Sequence, residues 1–343
     1  LYVTPDSCAC NMKTKLAGFW ALAPEGSAGD ADAVEDGDRL EKGPAYGEVV
    51  APSSSPGADS SSDWPVYRHD FARTGMTQAR VPAKLRPTWR REIGGRLSGV
   101  TAAEGKVFVS AVDAHTGHAL DQQSAATLWS FTAGSRIDSP PTIYRGMALF
   151  GSADGYVYCL RAGDGELAWR FRAAPIDQRL VAFEQLESVW PVHGSVLVED
   201  GVAQFAAGRN MFLDDGIWLY RLDAETGKLL SATHMNDRHP QQKKDSLQIN
   251  VQILNMPVAT TDILSSDGER VYMKSQAFDR EGNRLELGPH SGDPAVQGWS
   301  QRGEGAHVFC PSGFLDDTFW HRTYWVYGRS FAGGHAGYSQ AGK

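Results

Sequence analysis

Residues 105–131 read GKVFVSAVDAHTGHALDQQSAATLWSF and residues 146–171 read GMALFGSADGYVYCLRAGDGELAWRF, one short pattern written twice. Trp89, Trp129 and Trp169 stand 40 residues apart, each opening a polar/apolar alternation (WRREI, WSFTA, WRFRA). Within the second copy, GMALFGS alternates as a strand and Ala153-Asp154-Gly155 reads as a tight hairpin turn, because Asp-Gly tolerates positive φ. YVYCLRA is the next strand, Gly163-Asp164-Gly165 turns again, and ELAWRFRA is the outermost strand. With SPPTIY in front, one copy supplies four antiparallel strands. A fixed period of about 40 residues with Gly/Asp turns is the signature of propeller blades. A β-sandwich offers the same alternation without a constant period. The expected fold class is therefore all-β, a β-propeller of four-stranded antiparallel blades.

Working outward, residues 1–26 read as a partial blade (LYVTPDSCAC, LAGFWALAPEG) and residues 63–343 as further blades. Residues 27–62 hold eight acids against Arg39 and Lys42, with almost no large apolar side chains. Such a composition buries too little surface to offset its ordering entropy, so a disordered acidic insertion or linker is expected there. It carries most of the net charge of −8. The near-neutral remainder offers no electrostatic footprint for nucleic acid. No apolar run reaches the 18 residues of a membrane span. Residues 175–195 (PIDQRLVAFEQLESVWPVHG) break the rhythm by about 20 residues, and QRLVAFEQLESV is expected to form one or two helical turns within 176–188. The rhythm returns in GSVLVEDGVAQFAAG, GIWLYRLDAETGKLLSATH and DILSSDGERVYMKSQAFDREGNRL, and HVFCPSGFLDDTFWHRTYWVYG opens another unit. The sequence begins without Met and stops just past a strand-like run. It is expected to be part of a longer protein, with a multidomain chain as one form of it, whose ring is C-terminally truncated.

Loops entering the inner strands of a propeller converge on one mouth of its channel. The entries here are SRIDSPPTI, LESVWPVHGSV, NMPVATTDIL and GFLDDTFWHRTYW. They carry Arg136, Asp138, Glu187, Trp190, His193, Asp262, Asp316, His321 and Arg322, and Arg209 follows a neighbouring strand. Acids, bases and tryptophans in one funnel suit a polar ligand held between aromatic faces and charged clamps. Each residue taken alone has a structural reading, as a partner for backbone groups or as packing between blades. His321 beside Arg322 is expected to have a lowered pKa. Cys8 and Cys10 are weak candidates for a metal site, and packed or disulfide-linked cysteines are the default. There is no phosphate-binding Gly-rich loop, nucleophile elbow or His-Glu-x-x-His. Asp214-Asp215 and Asp316-Asp317 are adjacent, so on a strand each pair points to opposite faces and makes no obvious acid/base couple.

The entry DWPVYRHDFARTG, with Trp64-Pro65, Arg68-His69-Asp70 and Arg73-Thr74-Gly75, leads to a Leu85-x-x-x-Trp89 strand. Together with DAHTGHALD and LDAETGKLL, it resembles the pyrroloquinoline-quinone-like (PQQ-like) β-propeller repeat family. SPPTIYRGMALFGSADGYVYCLRA and LESVWPVHGSVLV are most similar to planctomycete-type members. The resemblance covers residues 64–235 well and the ends weakly. It implies seven or eight blades in the intact ring, docking of a tryptophan between blades, and a periplasmic or otherwise extracytoplasmic setting. Its enzymes imply PQQ, two adjacent cysteines over the cofactor, and a calcium or lanthanide with an acidic ligand and a catalytic Asp. No two cysteines are adjacent in this chain, and its residues match none of those metal motifs. DQQSAATLW lacks the Thr-Gly of the docking turn, and Ser231 stands where a docking Trp is expected. The expected function is thus non-catalytic binding of a small polar ligand or a protein partner at the central funnel, without a cofactor. The alternatives are a quinone-dependent oxidoreductase and a polysaccharide-acting module.

Overall fold

The computed structural model describes residues 2–3, 20–21, 34–48, 63–209, 214–236, 261, 263–273, 276–285, 308–309 and 326–327. Two short pairs stand at its extremes in sequence. At the N-terminal end β1 (Tyr2–Val3) pairs with β2 (Trp20–Ala21). A further strand, β3 (Leu40–Lys42), follows. The first full blade is β4 (Leu97–Ala103), β5 (Lys106–Ala111), β6 (Thr116–Asp121) and β7 (Thr127–Thr132), paired antiparallel in that order. The second is β8 (Thr142–Tyr144), β9 (Met147–Gly151), β10 (Tyr156–Arg161) and β11 (Leu167–Arg172). A hairpin, β12 (Arg179–Ala182) and β13 (Gln185–Ser188), precedes the third blade. That blade is β14 (Leu197–Glu199), β15 (Val202–Ala207), β16 (Ile217–Asp223) and β17 (Leu229–Met235). β18 (Leu264–Ser266), β19 (Val271–Met273) and β20 (Gln276–Phe278) begin a fourth, and a bridge from Phe278 to Arg284 continues it. β21 (Val308–Phe309) pairs with β22 (Val326–Tyr327). The antiparallel four-stranded blades are those the 40-residue period implies.

The three full blades share one irregularity. The ladder between third and fourth strands slips at Ala119/Leu120, at Cys159/Leu160 and at Arg221/Leu222. Each slip leaves the fourth-strand residue opposite Ala119, Cys159 or Arg221 turned towards the next blade. In the first two blades that residue is Trp129 or Trp169. Trp129 Nε1 donates to the Ala162 carbonyl at 3.0 Å, and 40 residues earlier Trp89 Nε1 donates to the Gln122 carbonyl at 2.9 Å. The receiving turn has to admit an indole. Gly165 sits at φ +77°, and a Cβ there would lie 2.6 Å from the Trp129 ring. The core accordingly lies in the seams: Phe108, Trp129 and Phe150 between the first and second blades, Trp169, Phe171, Phe205 and Tyr220 between the second and third.

Residues 64–75 run along the inner edges of four blades. Trp64 bridges Ala102 of β4, the Pro65 carbonyl accepts from Ile143 N of β8, and the Phe71 carbonyl accepts from Ser266 N of β18. Arg73 is buried and donates to the carbonyls of Leu264 (2.9 Å), Tyr67 (2.8 Å) and Ser195 (3.4 Å). Burial pulls its guanidinium down to about 10. The arginine of the sequence's Arg-Thr-Gly is therefore a tie between inner strands, satisfied by backbone oxygens.

Two expectations are corrected. Residues 176–188 form no helix: QRLVAFEQLES makes the hairpin β12–β13, turning at Phe183 (φ +51°) and Glu184 (φ +63°). Positive φ at both central residues gives the twist of a two-residue hairpin turn, and Leu180 and Ala182 are buried while Arg179 and Val181 are exposed, a strand period. Residues 34–48, inside the stretch expected to be disordered, add β3 to the open edge of β11 as a fifth strand. Composition averaged over the whole stretch hides this. Three residues suffice where an unpaired edge waits, and Glu41 pairs with Arg170 (2.6 Å) and Tyr46 reaches the Thr226 carbonyl (3.2 Å).

Candidate functional site

Within each blade, the segment entering the first strand and the turn between second and third strands lie at the same end of the sheet. Arg136 and Asp138 come from the entry to β8, Glu187 from β13, His193 from the entry to β14, and Arg209 from just beyond β15. Backbone bonds lock these together: Ala153 N to the Arg136 carbonyl, Ser188 N to the Ala153 carbonyl, and Gly208 N to the Pro191 carbonyl.

Five of the sequence's candidates meet in one buried cluster. Arg136 Nη1 donates to Asp138 Oδ1 at 2.9 Å and Arg136 Nε donates to Glu187 Oε1. Arg209 Nη2 takes the other Glu187 oxygen at 2.5 Å, and His193 Nδ1 lies 2.5 Å from Asp138 Oδ2. Arg136 and Glu187 are each 1 % exposed. The Phe183 ring covers the Arg136 guanidinium at 4.1 Å. The hairpin tip is fastened from the other side, since His115 Nε2 meets Gln185 Oε1 at 2.6 Å and Ser135 Oγ donates to the Leu186 carbonyl at 3.2 Å.

The electrostatics close on themselves. Two guanidinium groups face two carboxylates, and all four carboxylate oxygens have a partner. Burial alone would raise Asp138, but the charge and hydrogen bond of His193 and the charge of Arg136 outweigh it and hold the carboxyl below its usual value. Burial likewise opposes the charge on Arg136, and Asp138 and Glu187 overcome it, so its pKa is raised. With Nδ1 bonded to Asp138, the ring's other nitrogen is Nε2. That atom is buried without a partner, as are Arg136 Nη2 and Arg209 Nε. An Asp–His pair oriented this way is half of a nucleophilic triad, yet among the described residues no hydroxyl or thiol bonds Nε2.

Trp190 does not join this cluster. It is packed in the seam between second and third blades with Trp169, Phe205 and Tyr220. Asp262, Asp316, His321, Arg322, Cys8 and Cys10 lie outside the described residues. Cys159 is buried as a free thiol in the same seam, and burial raises its pKa. Among the described residues no group of His, Cys, Asp and Glu is placed to hold a metal ion. Asp214 was set aside in sequence for its neighbour Asp215. It sits at φ +53°, and burial, partly offset by Arg209, raises its pKa to about 6. Nothing in the sequence singled out Phe183, because its role depends on the hairpin.

Residues 70–230 match the profile of the family described as outer membrane protein assembly factor BamB. No curated protein matches the chain. Among solved structures it is similar to a quinohemoprotein alcohol dehydrogenase from Comamonas testosteroni, at 16 % identity and a TM-score of 0.51 over 74 % of this chain and 44 % of that one. It is also similar to a europium-containing methanol dehydrogenase, at 14 % identity and a TM-score of 0.51 over 82 % of this chain and 56 % of that one. The chain thus spans about half the length of these structures. At such identity they establish the fold alone.

Proposed function

We propose that this chain, which carries PQQ-like β-propeller repeats over residues 70–230, is a non-catalytic module that docks a protein partner on the face bearing hairpin β12–β13. The observation that carries the reading is the pair Val181 and Leu186. They are directly opposite each other across the hairpin and remain 52 % and 55 % exposed, while the cluster beneath pins the hairpin in place. Apolar side chains held rigidly in water lose little entropy on being covered, which is what a docking surface needs. The charge cluster reads as the clamp. It is balanced, sealed by Phe183, and supplies no free carboxylate. The matching family's description as an assembly factor supports work on other proteins and an extracytoplasmic setting. No helix among the described residues is long and apolar enough to cross a membrane.

PQQ with its metal fits the described residues poorly. Asp138 and Glu187 are both consumed by guanidinium and imidazole groups, and Arg136 is covered by an aromatic ring. A small polar ligand is the second reading, favoured by the three unpartnered atoms on Arg136, Arg209 and His193. Trp190, the aromatic face available to a sugar, is buried.

A photo-crosslinking residue at Val181, compared with one at the equally exposed Leu230 of β17, tests the docking face in an extract of the source cells. A discrete adduct at 181 alone, lost with Leu186→Glu, is expected. Equal labelling at both positions, or dye reduction on adding PQQ and calcium, would overturn the reading.

A further inference from the structure

The second blade differs from its neighbours at its outer edge. Among the described residues β7 and β17 end the first and third blades with no further strand, whereas β11 is joined by β3. The register sets Lys42 against Trp169, Glu41 against Arg170 and Leu40 against Phe171. Backbone bonds carry the contact beyond the ladder on both sides. Val34 N donates to the Pro175 carbonyl (2.9 Å), Arg172 N to Arg39 (2.8 Å), Gly43 N to Ala168 (2.8 Å) and Ala45 N to Leu167 (3.0 Å). Phe171 is buried at this edge, where Phe131, 40 residues earlier, is half-buried. An unpaired strand edge is a template for an extended segment, and here the chain fills it with its own residues 34–48.

The fit involves side chains as well as backbone. Arg39 is buried and donates to the carbonyls of Arg172 (3.1 Å) and Ala174 (3.4 Å). A Cβ on Gly43 would lie 2.2 Å from the Leu167 carbonyl oxygen, so the segment passes this close to β11 only as glycine. Ala45 is buried, and Tyr46 Oη donates to the Thr226 carbonyl of the third blade at 3.2 Å. Leu40 reaches the same turn. Its Cδ1 lies 2.7 Å from where a Cβ on Gly227 would stand, beside the Trp169 ring at the same distance. The segment therefore spans the rim of two blades. Trp169 shares its docking turn with this guest, and its Nε1 is buried without a partner, whereas Trp89 and Trp129 each reach a carbonyl.

Charge is complementary too. Residues 34–48 hold five acids against Arg39 and Lys42. Glu41 pairs with Arg170 (2.6 Å) and Glu48 with Arg161 (3.4 Å), both on the second blade. In recognition by strand addition, main-chain bonds along the edge give affinity and seats for individual side chains give selectivity. Both are present here. The chain supplies in cis a whole peptide ligand: a short strand, a buried arginine, a leucine beside a tryptophan, an obligatory glycine and a tyrosine hydroxyl.

We propose that the edge of β11 and the turn at 226–227 form a peptide-binding groove, and that residues 34–48 occupy it as a built-in, autoinhibitory ligand. When that segment is displaced, the groove takes an extended acidic peptide of the same pattern, Arg-Leu-acid-x-Gly-x-Ala-aromatic. The groove lies on the outer edge of its blade, and the proposal does not rest on the docking reading of hairpin β12–β13.

The test replaces residues 34–48 of the full chain by a Gly/Ser segment of equal length and titrates it with a labelled synthetic peptide of the 34–48 sequence, read by fluorescence anisotropy. Binding with a Kd of about 100 μM or tighter is expected. The unaltered chain, whose groove is filled by a tethered ligand at high effective concentration, should bind at least about tenfold more weakly. Peptides carrying Leu40→Asp or Gly43→Val, and a scrambled peptide, should also lose at least about tenfold. Should the replaced chain fold poorly, Gly43→Val in the full chain unseats the segment alone. The Arg172 amide should then exchange faster with solvent, and added peptide should slow it again. Equal binding by replaced and unaltered chains, equal binding of scrambled and parent peptides, or neither binding nor slowed exchange overturns the proposal. So does a failure of both variants to fold, because the segment is then core and not a ligand.

Discussion

The charge cluster under the hairpin and the charged cleft between third and fourth blades are built from the same residue types, and they end in opposite states. In the cluster, both carboxylates use both oxygens and Phe183 closes the top. In the cleft, Arg221 makes no close ion pair among the described residues, Glu281 and Asp279 act on it only at longer range, and a cavity stays open. The difference lies in how each departs from the 40-residue repeat. An insertion of about 20 residues brings its own counter-charge, Glu187, and its own cover. Where a serine stands in place of the tryptophan, the newly placed guanidinium bonds the serine hydroxyl and the Glu281 carbonyl. Added chain tends to seal a polar site.

The sharpest way to break that contrast is to remove one charge from each side. Glu187→Gln leaves Arg136 and Arg209 buried against a neutral amide, and about 3–5 kcal/mol of stability should be lost. Arg221→Leu, facing solvent-filled space, should change stability by less than about 1 kcal/mol. Similar losses in urea unfolding of the two variants would erase the distinction between sealed and open.

Next in size is the transplant of the third blade's solution into the first. Trp129→Ser removes a buried indole from a seam with no polar row to replace it, so a loss of about 3 kcal/mol is expected by chemical denaturation. A loss below about 1 kcal/mol would mean that the tryptophan does not hold that seam.

A smaller effect separates the cluster from its rim. Asp214 has a folded pKa of about 6 against an ordinary 3.8. A carboxyl raised in this way favours the folded state fully below about 3.8, and the contribution is lost as pH rises through about 6. Asp138 runs the other way: its lowered pKa contributes stability above the ordinary carboxylate range, lost as pH falls. Asp214→Asn should therefore stabilise the protein by about 1 kcal/mol at pH 7 and not at pH 3.5. A melting-temperature gain equal at both pH values would contradict it.

The smallest expected change is in the fastening of the hairpin tip. Gln185→Ala removes the bond to His115 and should cost about 1 kcal/mol. It should also speed hydrogen exchange within β12–β13 while leaving β15–β16 unchanged. Exchange that rises evenly across the chain would show that the hairpin is not a separately held element.

Strand alternation, the Asp-Gly and Gly-Asp-Gly turns and the 40-residue tryptophan spacing were all readable along the chain, because strand period and turn chemistry act over a few neighbouring residues. The blades follow from them, and so does the prediction that segments entering inner strands share one end. That is why Arg136, Asp138, Glu187, His193 and Arg209 could be grouped before any fold was known. The hairpin at 179–188 was ambiguous, since QRLVAFEQLES carries apolar residues at spacings that suit a short helix or a strand, and Phe183-Glu184 is not a typical turn pair. Contact with Ser135, His115 and Arg136 decided it. The addition of Leu40–Lys42 to β11 was equally invisible, because it depends on an edge left free more than a hundred residues away. Trp190 stands in sequence in a segment entering an inner strand, and only the packing of the second blade against the third buried it in a seam. The sequence alone determined the repeat and its strands, because those rest on local backbone preference. The tertiary structure decided which charges are paired and which cavity is open, because both depend on side chains brought together from different blades.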